Sequence, residues 1–252
     1  VADFMNSRLM VWNSTPSSSG ADADYVLGQP DFTSNSGITD VSTLTFPSKM
    51  TCVGDNLYVA DTGSQRIVRF DLTQATSSGF AAHSVLGQPD FDSANAAQPA
   101  GAPTASNINI HNVSGLTSIA GKLFLADSMH NRIMVWLSAP TPINESADYF
   151  IGQPNSNTKL SNIDTVSASS LRTPSSAIIA QGKLIIVDKD LHRVLIWNTV
   201  PTTHHAPADL VIGQTNFTAH QLNQGGAKSA STLNSPDRVF VSQSGKMYVA
   251  DS

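Results

Sequence analysis

Apolar residues along this chain come in short bursts, each closed by Gly, Pro, Asp or Asn, and no window carries the three-to-four-residue spacing of an amphipathic helix. The bursts are rich in Val, Ile, Leu and aromatic residues and have the length of strands. They also recur. VADFMNSRLMVW, VADTGSQRIVRF, LADSMHNRIMVW and IVDKDLHRVLIW begin at Val1, Val59, Leu125 and Ile186, and their arginines, Arg8, Arg66, Arg132 and Arg193, stand 58, 66 and 61 residues apart. A second string, YVLGQPDF, SVLGQPDF, YFIGQPNS and LVIGQTNF, keeps the same step, with Gly28, Gly87, Gly152 and Gly213 separated by 59, 65 and 61. The unit is thus about 62 residues long and holds four apolar runs: one after a Pro, one ending at the Asp, one after the Arg, and one ending at Gly-Gln.

Within the runs the alternation of a half-wet sheet is broken, as in Arg132-Ile-Met-Val-Trp136, where successive residues are all apolar. Such strands need cover on both faces of their sheet. Blades stacked side by side around an axis provide that cover, so the pattern predicts an all-β β-propeller of four-stranded blades. The run after each Arg ends in a ring, Trp12, Phe70, Trp136 or Trp197, read as a packing wedge between adjacent blades, because core packing must recur once per repeat and a ligand cage need not. The Asp-x4-Arg pairs, Asp3 with Arg8, Asp61 with Arg66, Asp127 with Arg132 and Asp188 with Arg193, straddle a hairpin, where a short acceptor and a forked donor fix the turn. They are read as structural; calcium at these aspartates is the competing reading, against which each accompanying Arg would repel the cation.

The series Pro, apolar run, Gly or Asn, short strand, Val-Ala-Asp, polar turn and Arg-Ile, standing here as FPSKMTCVGDNLYVADTGSQRIVRF, resembles the NHL repeat. The resemblance runs through all four copies, approximately 1–58, 59–124, 125–185 and 186–248, with a partial copy at 249–252. It implies a single propeller domain but no one function, since NHL propellers include bacterial sensor and adhesion domains, RNA-binding modules and a metal-using amidating lyase. Such propellers commonly have six blades. Val1–Asp3 and Val249–Asp251 would claim the same strand in a closed four-bladed ring, so a segment of a longer propeller is expected first and the closed ring second. An open array would bare two sheet edges that invite self-association. The copies depart from the NHL pattern in a Ser/Thr/Asn/Gly-rich insertion after Gly-Gln, as at Thr33–Asp40 and Asp92–Asn107, in Val113 where a Pro is expected, and in Thr215 where the other copies have Pro. The insertions are expected on one rim, where loops carry recognition.

Charged residues make up 13% of the chain and the net charge is −5, so no basic excess exists to hold a nucleic-acid backbone. The apolar runs fall far short of the roughly 20 residues that cross a membrane as a helix. Cys52 is the sole cysteine, expected as a small buried group in a strand. Of the seven histidines none stands at ligand spacing: His130 and His192 lie at different offsets from their Asp, and His204 and His205 are adjacent. His111, just before a first strand, is the weak metal candidate, and Lys49 and Arg238, at matching places where Gly115 and Ser176 stand in the other copies, could form a cationic pore mouth. Sequons occur at Asn13, Asn112, Asn144 and Asn216. The first functional expectation is a non-catalytic exported, cell-surface or periplasmic module without cofactor, binding a protein, a glycan or itself. The second is a metal-dependent lyase or lactonase-like propeller enzyme with its site in a central channel.

Overall fold

The computed structural model describes residues 1–94, 104, 115–160 and 165–252. It is all-β, built of propeller-type blades in which consecutive antiparallel strands lie side by side. One sheet comprises β1 (Ala2–Asp3), β2 (Arg8–Val11) and β3 (Tyr25–Leu27). The next has β4 (Pro47–Val53), β5 (Asn56–Asp61), β6 (Arg66–Asp71) and β7 (Ser84–Leu86). A third has β8 (Leu116–Ile119), β9 (Lys122–Asp127), β10 (Arg132–Trp136) and β11 (Tyr149–Ile151). The fourth has β12 (Pro174–Ala180), β13 (Lys183–Asp188), β14 (Arg193–Trp197) and β15 (Leu210–Ile212). A two-stranded sheet of β16 (Arg238–Val241) and β17 (Met247–Ala250) follows. Each complete sheet therefore runs from the Pro run to the Gly-Gln string.

Turn chemistry sets the register. Ala120-Gly121 and Gln181-Gly182 each place two residues at positive φ (48° and 79°; 51° and 76°), the two-residue hairpin whose twist matches the flanking strands. The Asp-to-Arg connection ends instead on one left-handed residue, Ser7, Gln65, Asn131 or His192, with φ between 51° and 55°. In three of them the side chain takes an amide from the stretch before the next first strand: Phe46 N–H donates to Ser7 Oγ (3.4 Å), Thr173 N–H to Asn131 Oδ1 (2.9 Å) and Ser235 N–H to His192 Nδ1 (2.9 Å). The strained backbone thus links one sheet to the next.

The residues form two compact units, one of 1–94 with 139–146 and the other of 104, 115–138 and 147–252 among the described residues. In the first, Leu9 and Leu27 pack with Leu57, Val59, Val68 and Phe70 between the first two sheets. In the second, the fourth sheet is sandwiched. Leu184, Ile186 and Trp197 meet Phe124, Ile133 and Val135 on one side, while Ile185, Val187, Val194 and Ile196 meet Val239 and Val249 on the other. Successive residues of one strand feed opposite cores, which is why its apolar run is unbroken. Phe70, Trp136 and Trp197 are at most 2% exposed, and Trp12 is half-buried with its indole N–H on Ala21 O at 3.2 Å. Burial of a ring such as Phe70 contributes about 1.5–3 kcal/mol.

The connection between third and fourth strands latches onto the preceding blade. Ser78 Oγ takes the Val26 N–H (3.1 Å), and His205 N–H donates to Phe150 O (2.9 Å). These latches occupy the edges of three-residue outer strands, which would otherwise present unpaired backbone.

Candidate functional site

Each Asp-Arg pair is the hub of several chain segments. The Arg Nε donates to the Asp Oδ2 at 2.8 Å in Arg8–Asp3, 2.7 Å in Arg66–Asp61, and 2.8 Å in Arg132–Asp127 and Arg193–Asp188. The last three pairs are fully buried, whereas Arg8 and Asp3 keep 15% and 28% exposure. The rest of each guanidinium is spent on carbonyls. Arg193 donates to Phe217 O (2.6 Å), Ser170 O (2.8 Å) and Ser167 O (3.1 Å); Arg66 reaches Phe91 O, Asp40 O and Thr43 O; Arg132 reaches Ser156 O and Thr104 O, and its guanidinium carbon lies 4.7 Å from the Phe150 ring centroid. The second Asp oxygen is occupied as well, by Thr45 N–H on Asp61 (2.5 Å) and Arg172 N–H on Asp188 (2.6 Å). Burial pushes the Asp61 and Asp188 carboxyls up, with Arg66 and Arg193 pulling against it. His130 adds its Nδ1 to Asp127 Oδ2 at 2.9 Å.

The Gly-Gln string contributes a second device that its spacing did not disclose. Gln29, Gln88, Gln153 and Gln214 donate through Nε2 to the carbonyls of Ser7, Gln65, Asn131 and His192, tying the fourth strand to the left-handed turn residue. In the first and third copies the same amide closes a seven-residue loop. Gln29 Nε2 donates to Ser36 O while Ser36 N–H donates to Gln29 Oε1 (both 2.9 Å), and Gln153 pairs likewise with Leu160 (both 3.0 Å). The Asp or Asn after it caps the turn: Thr33 and then Ser34 hold the Asp31 carboxyl at about 2, and Asn216 Oδ1 takes the N–H groups of Thr218 (3.0 Å) and Ala219 (2.9 Å). The preceding Gly has no substitute. At Gly152, with φ +96°, a Cβ would stand 2.7 Å from Leu171 Cβ and 2.8 Å from Asn131 O.

The fourth copy breaks this scheme. Gln214 Nε2 still reaches Gln221 O (2.9 Å), yet its Oε1 is buried and has no hydrogen-bond partner. Here Asn223 and Gln224 both take positive φ (48° and 56°) before Gly225, and the loop leaves a half-open cavity of about 310 Å³. Gln214, Gln221, Gln224, Thr215, Thr218, Ala219 and His220 line it. The Thr215 departure from Pro was the sequence signal at this place; the cavity was not foreseen.

No family model and no curated protein matches the chain. Among solved structures it is similar to the glutaminyl cyclase of Myxococcus xanthus, at 12% identity and a TM-score of 0.40, over 82% of this chain and 68% of that one. It is also similar to the computationally designed Ika8 protein, at 9% identity and a TM-score of 0.31, over 84% and 60%. At such scores neither likeness transfers a function or a site.

The remaining expected residues fall as follows. Lys49 is half-buried on β4 opposite Ala60, and Arg238 is exposed on β16 opposite Ala250, its Nε 3.5 Å from Asp237 Oδ2, so a carboxylate offsets its charge. His111, Asn112, Val113 and most of the insertion from Asp92 to Asn107 lie outside the described residues. Cys52 corrects an expectation: it does lie in a strand, but exposed, because β4 is an outermost strand of its sheet whose residues from Ser48 to Cys52 are only partly covered. Burial of part of its surface raises the thiol pKa. His204 stacks on Phe150 (5.5 Å, 13°) and accepts its N–H at 3.2 Å. Among the described residues no group of three His, Cys, Asp or Glu is disposed to hold a metal ion, and no helix is long and apolar enough to cross a membrane.

Proposed function

We propose that this chain is part of an exported or cell-surface NHL-type propeller that works as a non-catalytic binding or assembly module, engaging a protein, a glycan or another copy of itself through rim loops or blade edges. One observation carries the reading. The ionisable groups that recur in every copy are consumed by bonds within the chain, while the loop of the fourth copy leaves a cavity and an unspent acceptor. A general acid, base or nucleophile must have a free partner face toward substrate, and the buried Asp-Arg hubs offer none. A polar composition of mostly Ser, Thr, Asn and Gln, with little Lys or Glu, accords with an exported protein.

The test has two parts on the same purified protein. Elemental analysis after dialysis is expected to find no stoichiometric transition metal, and capture on glycan arrays or on immobilised copies of the chain is expected to give saturable binding. A tightly held metal together with turnover that His111→Ala abolishes would replace this reading with a metal-dependent lyase or hydrolase.

A further inference from the structure

The cavity of the fourth copy differs from its counterparts in which hydrogen-bonding capacity it leaves unused. Gln214 is 6% exposed and lines the cavity, and the oxygen that its equivalents Gln29 and Gln153 give to a backbone N–H is unpartnered. Its two neighbouring donors are spent: Gln214 Nε2 on His192 O and Gln221 O, and Gln224 Nε2 on Ser231 O (2.8 Å) and Gly213 O (3.3 Å). Thr218 donates its hydroxyl proton to Asn216 Oδ1 at 2.8 Å. His220 Nδ1 lies 3.2 Å from Thr218 O, a carbonyl that only accepts, so the neutral ring carries its proton on Nδ1 and keeps a lone pair on Nε2. Acceptors predominate along the wall, as amide oxygens, hydroxyl lone pairs and an imidazole nitrogen, beside the Gln221 side-chain amide and the Thr215 hydroxyl, which can also donate. The lining contains no Asp, Glu, Lys or Arg.

An acceptor-rich, uncharged wall repels anions and satisfies a ligand that brings several donors without charge. A volume of about 310 Å³ sits at the small end of ligand sites. From this geometry we infer that the loop 214–224 binds a neutral polyhydroxylated ligand of the size of one sugar ring, a hydroxyl of which donates to Gln214 Oε1. The inference rests on the binding-module reading and specifies its ligand class.

Amide-detected NMR titration of the whole chain tests it, with D-glucose, D-galactose and D-mannose as probes beside methylammonium chloride, calcium chloride and sodium phosphate. Saturable shifts confined to 214–224 are expected with at least one sugar and none with phosphate. Ala219→Phe, which fills the cavity, should weaken that sugar about tenfold or more, and the milder Thr215→Val, which removes one hydroxyl, about threefold. Shifts at the loop from methylammonium or calcium but from no sugar overturn the ligand class while leaving a binding module in place. Silence of the loop toward every probe overturns the site itself, and the capture experiment then decides the broader reading separately. Sugar shifts that Ala219→Phe and Thr215→Val both leave unchanged place the ligand elsewhere and refute the assignment.

Discussion

Arg193→Met keeps the buried apolar stem and deletes the guanidinium, so it separates the hub from the packing around it. Four bonds vanish, to Asp188 Oδ2, Phe217 O, Ser170 O and Ser167 O, in a place where both members of the pair have no exposed side-chain surface. A carboxylate left bare in the interior costs about 3–5 kcal/mol. Each carbonyl that loses its donor without gaining water adds about 1 kcal/mol or more. Relaxation recovers part of this, and the net expectation is about 5 kcal/mol, of the same order as the total stability of many domains. Arg8→Met removes the same motif from a setting where Arg8 is 15% and Asp3 28% exposed, so water replaces the lost bonds and the cost is about 1 kcal/mol. Urea unfolding followed by tryptophan fluorescence measures both. The deficit of Arg193→Met also has a pH signature: without the guanidinium, burial and then the Asp190 charge raise the Asp188 pKa against the Arg172 amide, and protonation relieves the bare charge. The deficit should therefore be larger at pH 8 than at pH 5. Equal costs for the two variants, or a cost below about 1 kcal/mol at Arg193, would refute the claim that burial makes these pairs indispensable.

Gly152→Ala should cost about 3 kcal/mol in the same assay, because φ +96° and contacts at 2.7 and 2.8 Å leave a Cβ nowhere to go, whereas Gly182→Ala, at φ +76° with nothing within 4 Å, should cost about 1 kcal/mol. Burial holds His192 below its ordinary pKa of 6.5, with Asp190 and Asp251 opposing and His220 and Arg172 assisting. Its neutral Nδ1 accepts the Ser235 N–H, so its contribution to stability is complete above 6.5 and is lost as pH falls through the folded value. His192→Asn, copying Asn131 at the equivalent turn, should keep the amide bond and flatten that slope, read as urea midpoints at pH 7.5 and 5.5; an unchanged slope would assign it to other groups. Cys52 should react stoichiometrically with a disulfide reagent in native buffer, slowly at pH 7 and faster as pH rises, since its thiol is exposed but its pKa is raised; a thiol that reacts only after unfolding contradicts the exposure.

What the sequence disclosed and what it hid divide along a physical line. Strands, hairpins and the doubly covered sheets follow from composition and period, because Val, Ile and Leu at successive positions of one strand leave no wet face, as Leu184 to Val187 do. The Asp and Arg of each hub sit directly opposite in register, as Asp188 and Arg193 do, so a spacing of five residues suffices to bring them together. The other guanidinium partners could not be foreseen: Phe217 O and Ser167 O lie 24 and 26 residues from Arg193 in irregular loops, where contact depends on backbone carbonyls that no side chain announces. The Gln clamp escaped for the same reason. Cys52 is exposed against expectation because a strand at the edge of a sheet obeys different burial from one inside it. The cavity depends on positive φ at Asn223 and Gln224, residue types that adopt such angles without requiring them.

Repetition itself narrows where recognition can reside. A group that recurs in each copy and is buried in three of four, as the Asp-Arg hub is, answers to the mechanical need shared by all blades, and its bonding capacity is exhausted within the fold. Among the Gly-Gln clamps of the first, third and fourth copies, capacity is left over where the fourth fails to close its own network. In the first and third copies Gln29 and Gln153 spend both ends of the amide on a loop seven residues on, and those loops are thereby held against the sheet. In the fourth, the chain keeps the donor half of that clamp and gives up the acceptor half, at a buried atom, where an unmet hydrogen bond costs about 1–3 kcal/mol. A hydroxyl supplied from outside would recover that energy on binding, so the lapse in an otherwise regular scheme becomes a source of affinity that the regular copies lack.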